Sequence, residues 1–461
     1  MEYLIRFTQW HESFRLAEIQ AIAVNEGIDL KVIHYDDESP FCIVDLPSEA
    51  AARTLVKRSI LAHAVYEHWG TADSLDELHE VIKSKTSHLW PQYSEVSFKF
   101  NFDPYQGTRS NKQKLVIMES LSYLPFRGPI LLKSPDQEFT LFEQWAFNSV
   151  PLKLPAPLKV HFGRFIADGS RDAIHTYDLK KRGYISTTSM DSELALVTAN
   201  IAMAGPGKLF YDPFVGTGSF PIACAHFGAL GWGSDIDGRS IRGDGEKKNL
   251  KGNFEQYGLG QFLGGAFVSD LTNTPFRKAR ILDGIVCDPP YGVREGLKVL
   301  GIRDPERTPW VMEKSRAMFR DPAYVPPKKP YSFMAILDDI LDFATDTLVD
   351  NGRLSFWMPT ANAEDQEIGV PVHPALEIVV VCTQVFNKWS RRLITYRRKP
   401  DSEVDFAALE QRKEQLETLV NGSSVDDLNP FRRHYFRGFR AEQDDTPPTD
   451  DSISHEQEAV A

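Results

Sequence analysis

The sequence has only four cysteines in 461 residues. Cys42, Cys224, Cys287 and Cys382 each stand alone in an apolar stretch, with no Cys-x-x-Cys spacing. That excludes a disulfide framework and gives no sign of a metal site. No apolar run approaches the roughly 20 residues that a bilayer span requires. The start, Met1-Glu-Tyr-Leu-Ile-Arg-Phe7, reads as an amphipathic strand rather than a signal peptide. The expectation is an intracellular, cytoplasmic protein with reduced thiols and no membrane association. Net positive charge is also missing, the formal charge being −12. The deficit is uneven, however. From Glu442 onward there are seven acids and no Lys or Arg, and removing them leaves −5 of the −12. Basic clusters persist at Lys180-Lys181-Arg182, Lys328-Lys329, Lys388 with Arg391-Arg392, and Arg397-Arg398-Lys399. Electrostatic footprints are local, so the acidic total does not exclude an RNA partner.

What is present is organised around Tyr211-Asp-Pro-Phe-Val-Gly-Thr-Gly-Ser219. An apolar strand, Lys208–Tyr211, runs there into a helix over Ser219–His226. Gly216 and Gly218 allow a sharp turn and a close approach of main chain to ligand, and a helix N-terminus follows. A dinucleotide loop would carry a third glycine and no acid. Asp212 at the strand tip would repel a phosphate but welcome the amino group of an amino-acid-like cofactor, which points to S-adenosylmethionine. Asp212, Phe214, Gly216 and Gly218 are the candidate cofactor residues of this loop. Asp235, in Ser234-Asp-Ile-Asp237, stands at the tip of a second strand, where such folds bind a ribose diol, with Asp237 in reserve. Asp270 follows a third strand, Gly265–Val268, and is placed to accept from an adenine amino group.

A second motif carries the chemistry. The apolar run Ile281–Cys287 has the character of a buried parallel strand and ends in Asp288-Pro-Pro-Tyr291-Gly292. Two prolines remove two donors and fix a rigid exit from the sheet. Asp288, Pro289, Pro290 and Tyr291 then offer acceptors and an aromatic face to a planar ring bearing an exocyclic amine. Asp-Pro-Pro alone is often only a loop. Some seventy residues after a Gly-x-Gly strand–turn–helix, it resembles the amino-group methyltransferases.

Taken in order, residues 1–165 alternate strands and helices as an α+β binding unit. Strands are expected at Tyr3–Phe7, Leu30–His34, Phe41–Leu46, Ala64–Trp69, Val96–Phe102, Glu138–Phe147 and Lys159–Phe165, with a helix over Ala50–His63. Residues 166–187 form a linker, 188–400 an α/β domain, 401–440 a charged extension and 441–461 an acidic, disordered tail. Gly292–Pro330 reads as a long loop over the site, either a lid or plain irregular chain. Phe386-Asn-Lys-Trp-Ser-Arg-Arg-Leu393 mixes Trp389 with Lys388, Arg391 and Arg392. A stacked base with held phosphates, or a surface turn, would equally suit it. Phe431-Arg-Arg-His-Tyr-Phe-Arg437 mixes rings and cations in the same manner.

Four stretches together, Asp212–Ser219, Gly233–Asp237, Asp288–Gly292 and Phe386–Leu393, resemble the catalytic subunits of eukaryotic tRNA guanosine-10 N2-methyltransferases. Leu179-Lys-Lys-Arg182, Thr187-Thr-Ser-Met190, Lys57-Arg-Ser-Ile-Leu61 and Val65-Tyr-Glu-His-Trp-Gly70 extend the similarity over most of residues 1–400. The resemblance implies a class I (Rossmann-like) methyltransferase domain preceded by an α+β THUMP-containing RNA-binding region. It implies S-adenosyl-L-methionine as cofactor, tRNA as substrate, and a small zinc-binding activator subunit in a heterodimer. Lys180, Lys181, Arg182, Lys388, Trp389, Arg391 and Arg392 are the candidate RNA contacts. The alternatives are an amino-group methyltransferase acting on DNA adenine or protein glutamine, and a non-catalytic tRNA-binding scaffold. No DNA-reading region is visible.

Overall fold

The computed structural model describes residues 1–292, 297–302, 313–314, 317–318, 324, 326–361, 369–387 and 389–418. Lys388, most of the expected loop after Gly292, the Phe431–Arg437 stretch and the acidic tail lie outside the described residues. No helix among the described residues is long and apolar enough to cross a membrane.

The first unit is a seven-stranded sheet of β1 (Glu2–Phe7), β2 (Lys31–Tyr35), β3 (Phe41–Asp45), β4 (Ala62–Ala72), β5 (Phe98–Tyr105), β6 (Gln137–Gln144) and β7 (Lys159–Asp168). Their order is β2-β3-β1-β4-β7-β6-β5, antiparallel except for the β5–β6 pair. Burial does not alternate along β5: the strand starts at Phe98, which is buried against Phe126 and Phe100, while Phe100 and Phe102 pack only half-buried on the same cluster. Another expectation needs correction. The helix expected over Ala50–His63 stops at Arg58. The Glu18 carboxylate takes the backbone N–H groups of Ile60 and Leu61 at 2.9 and 3.0 Å and the Ser59 hydroxyl at 2.7 Å. Those donors are thereby withdrawn from helix continuation, and the chain turns into β4. Beyond β7 the stretch expected as linker holds a short helix, Asp172–Thr176, and a 3-10 turn, Leu179–Lys181.

The second sheet contains β8 (Leu209–Asp212), β9 (Leu230–Asp235), β10 (Leu263–Val268), β11 (Leu282–Cys287), β14 (Leu348–Ala361), β15 (Leu376–Val385) and β16 (Trp389–Arg398). A separate two-stranded ribbon is made by β12 (Lys298–Leu300) and β13 (Lys328–Pro330). The main order is β10-β9-β8-β11-β14-β16-β15. The first five strands are parallel, and β16 returns antiparallel between β14 and β15. This is a Rossmann-like sheet ending in an antiparallel hairpin. Chain order reverses between β8 and β11, so a crevice opens beyond their C-terminal ends. Both strands are buried, with Phe210, Tyr211, Ile285, Val286 and Cys287 at most 1% exposed. Unbroken apolar runs there follow from burial on both faces.

The two units meet along an apolar seam. Helix Glu12–Glu26 packs on helix Ser192–Ile201, and one core cluster takes in Phe14, Ile22, Leu194 and Trp357 together. The Phe14 and Trp357 rings stack with centroids 5.7 Å apart. Asn200 crosses the seam, donating to Glu18 at 2.8 Å and accepting from Arg58 at 2.9 Å.

Candidate functional site

A cavity of about 310 Å³ lies at the point where strand order reverses, within the usual range for a small-molecule pocket. One wall is the turn after β8. Gly216 has φ 49° and Gly218 φ 90°, backbone that a β-carbon disfavours. The Val215 N–H donates to the Ser234 carbonyl at 2.8 Å, and the Gly216 N–H donates to Asp235 at 3.0 Å, fixing the turn to β9. Closeness is enforced sterically too, because a β-carbon at Gly233 would meet Val215 at 2.4 Å.

Asp212 is 1% exposed at the cavity floor. Its carboxylate accepts one hydrogen bond, from the Phe214 N–H at 2.9 Å. Burial pushes its pKa well above the usual carboxylate range, and the charges of Asp235 and Asp288 push the same way. A buried acid facing two other acids, with one donor, calls electrostatically for a cation in the cavity. The ammonium of an amino-acid cofactor meets that demand, and a pyrophosphate would worsen it. Asp235 also lines the cavity. It is raised by burial, while backbone N–H groups of Asp237 and Gly216 hold it partly down. Asp237 instead faces Arg239, whose hydrogen bonds lower it to about 2. The structure therefore brings Asp235 to the pocket and leaves the reserve acid outside its lining.

Across the cavity lie Asp288, Pro289, Pro290 and Tyr291. The Tyr291 hydroxyl donates to Asp288. Burial raises Asp288 to about 6, with that hydrogen bond and the Arg391 charge opposing. Tyr291 is pushed up strongly, first by burial and then by the Asp288 charge. The expected role of Tyr291 as a ring face is thus joined by one the motif does not reveal, occupancy of the acid by its hydroxyl.

Phe214 and Gly216 line the pocket, whereas Gly218 sits behind it as the cap of helix Ser219–His226. Asp270 is not brought to this lining. Its carboxylate accepts from Thr272 N and Oγ1 at 3.0 and 2.9 Å and from Leu300 N at 2.7 Å, anchoring the β12–β13 ribbon. Sequence reasoning gave no role to Ser186, Thr188, Ser189 and Met190, which also line the cavity. Ser189 bonds Thr217 at 2.8 Å, closing the segment onto the glycine turn. A run of hydroxyls just ahead of the helix that feeds β8 was the available signal.

The basic candidates separate. Lys180 and Lys181 are exposed. Arg182 departs from a surface role: it is 6% exposed and donates to Ser219 Oγ at 3.0 Å. Arg392 is equally buried. A buried guanidinium presents little charge to a phosphate, so neither position fits an RNA contact. Arg391 is half-buried on β16, its guanidinium 4.8 Å over the Trp357 ring. Trp389 stacks on Phe386 at 4.7 Å.

With this geometry in place, comparison with known proteins is decisive. Residues 1–171 match the Tmrp11 THUMP N-terminal domain, and residues 180–300 match the RMKL-like methyltransferase domain. The tRNA (guanine(10)-N(2))-methyltransferase of Saccharomyces cerevisiae is 42% identical over 450 residues, covering 95% of this chain and 99% of that protein. This chain belongs to the tRNA (guanine(10)-N(2))-methyltransferase family. The Homo sapiens relative, tRNA (guanine(10)-N(2))-methyltransferase TRMT11, is 34% identical over 455 residues, covering 95% of each chain. Among solved structures, TrmN from Thermus thermophilus aligns over 86% of this chain and 100% of its own at 15% identity, TM-score 0.42. Membership rests on the sequence relatives. The family therefore unites a THUMP-containing first half with a class I methyltransferase domain, here arranged as two seven-stranded sheets.

Proposed function

We propose that the chain transfers a methyl group from S-adenosylmethionine to the exocyclic N2 of guanosine 10 in tRNA. The observation that carries the reading is Asp288, an acid hydrogen-bonded by Tyr291 in the lining of a pocket that also holds a buried acid, Asp212. Asp212 would hold the cofactor ammonium, and Asp235 would take the ribose. The bound cofactor supplies an electrophilic methyl group on a sulfonium.

The guanine amine is a poor nucleophile because its lone pair is shared with the ring. Asp288 and the Pro289 carbonyl would accept its N–H groups, localise that lone pair and stabilise the positive charge that develops. To do so, Asp288 must be ionised and must exchange its Tyr291 hydrogen bond for the substrate amine. Pro289 and Pro290 keep the acceptors at fixed positions, and orientation supplies a large part of the acceleration. The exposed Lys180 and Lys181 and the half-buried Trp389 are the RNA contacts of this reading. A small zinc-binding activator subunit completes it, as the family resemblance implies.

The test is transfer of labelled methyl to unmodified tRNA transcripts, with and without the activator, against a guanosine-10→adenosine control. Label on the wild-type transcript alone, and only with the activator, supports both the reaction and the dependence. Label on DNA or protein would overturn the substrate.

A further inference from the structure

The first half of the chain reaches the catalytic acid through one arginine. Arg391 stands on β16 level with the Asp-Pro-Pro-Tyr turn: it pairs with Pro359 of β14, three residues past Phe356, which pairs with Cys287 at the end of β11, and its guanidinium acts on both Tyr291 and Asp288. Two neighbours fix it. Its Nε donates to Gln384 of β15 at 2.6 Å, and its guanidinium lies 4.8 Å over the Trp357 ring of β14. Each neighbour is in turn held by consecutive residues of the first unit. The Phe14 ring stacks on Trp357 at 5.7 Å. Ser13 Oγ accepts the Thr383 N–H at 2.8 Å and donates to the Thr383 carbonyl at 3.1 Å, beside Gln384. His11, two residues before Ser13, also feels the Arg391 charge. A guanidinium fork is suited to this duty, since its planar donors can serve Gln384 and Tyr291 while its face stacks on indole.

We propose that Arg391 is a positioning residue for Asp288 and Tyr291, and that Ser13 and Phe14 of the first unit hold it in register. The proposal rests on the function given above. Arg391 offers Tyr291 an alternative partner, so the hydroxyl can leave Asp288 when the guanine amine arrives. The same cation keeps Asp288 in its accepting, ionised form. Besides Arg391, Tyr291 on its own turn acts on this acid, and the Asp288 charge in turn pushes up its neighbours Asp212 and Cys287. Docking of the RNA-binding half is thereby tied to the state of the catalytic acid, without any first-half residue entering the pocket.

The experiment compares wild type, Arg391→Met, Arg391→Lys and Phe14→Leu, each with the activator, in methyl transfer and in tRNA and S-adenosylhomocysteine binding. Arg391→Met should lower kcat by about 100-fold, with KM for tRNA and the salt dependence of tRNA binding unchanged. Its acid limb should move to higher pH. Arg391→Lys should recover the pH profile but only part of kcat. Phe14→Leu, which keeps the seam filled, should lower kcat in the same direction by less, and its effect should vanish in the Arg391→Met background. A fall in tRNA affinity with a salt slope smaller by about one would mark Arg391 as a phosphate contact and overturn the proposal. So would a normal kcat. Wild type that methylates no tRNA would overturn the function instead. The pH dependence of S-adenosylhomocysteine binding, compared between wild type and Arg391→Met, would then decide the arginine's role: an unshifted profile rejects it.

Discussion

Two buried carboxylates in this molecule differ in how many donors meet them, and that difference separates structure from function. Glu18, at the seam, is 0% exposed and receives four hydrogen bonds, from Ser59, Ile60, Leu61 and Asn200. Asp212, in the pocket, is 1% exposed and receives one, with Asp235 and Asp288 acting on it as like charges. Burial raises both acids. Around Glu18 the protein has supplied the compensation itself. Around Asp212 it supplies a single donor, the pattern expected of a binding site under the proposed function.

The contrast can be broken from either side. The largest effect should come from Asp288→Ala, which removes the acceptor opposite Asp212. Turnover should fall by roughly 100- to 10,000-fold, while S-adenosylhomocysteine affinity measured by calorimetry stays within a few-fold. Near-normal turnover would remove Asp288 from the mechanism. Glu18→Ala should do the reverse. It strands four donors at the seam and should cost about 3 kcal/mol, read as a lower Tm, with activity per folded molecule retained at low temperature. A loss of activity with no change in Tm would mean that the seam carries more than stability.

A smaller effect concerns pH. Because Asp288 must be ionised to accept, the single-turnover rate should decline as pH falls through about 6, the value to which burial raises it. The same raised pKa means that the folded state binds this proton more tightly than the unfolded chain. Asp288 therefore favours folding in acid, and that contribution fades as pH rises through about 6. A rate flat from pH 5 to 8 would show that another acceptor does the work. The smallest expected change sharpens the surface assignment. Lys181→Ala should reduce the salt slope of tRNA binding by about one, whereas Arg182→Met should leave it unaltered, its guanidinium being committed to Ser219.

The pocket was more legible in the sequence than the seam, for a physical reason. Gly216, Gly218, Asp235 and the Asp288-Pro-Pro-Tyr turn act through local backbone chemistry, so each announces itself within a few residues. The strands β8 and β11 were legible because burial on both faces writes an apolar run. Glu18 could not be read, since its four donors come from residues 59–61 and 200, joined only by tertiary packing. Arg182 and Arg392 were less legible for a related reason. Arginines in a basic cluster look like surface charge, and nothing local records that both side chains are buried. Asp270 was placed beside the ligand by strand position alone, and the structure gives its carboxylate to Thr272 and Leu300.

The seam also limits how this protein can be divided. Cut after residue 171, the first piece would carry Phe14 and Ile22 bare on one helix, with a Glu18 lacking Asn200. The second piece would expose Trp357 and Leu194. Neither half is a free-standing cassette, so grafting this RNA-binding half onto another methyltransferase would transfer an aggregation-prone surface unless the recipient's Trp357, Thr383 and Asn200 equivalents came with it.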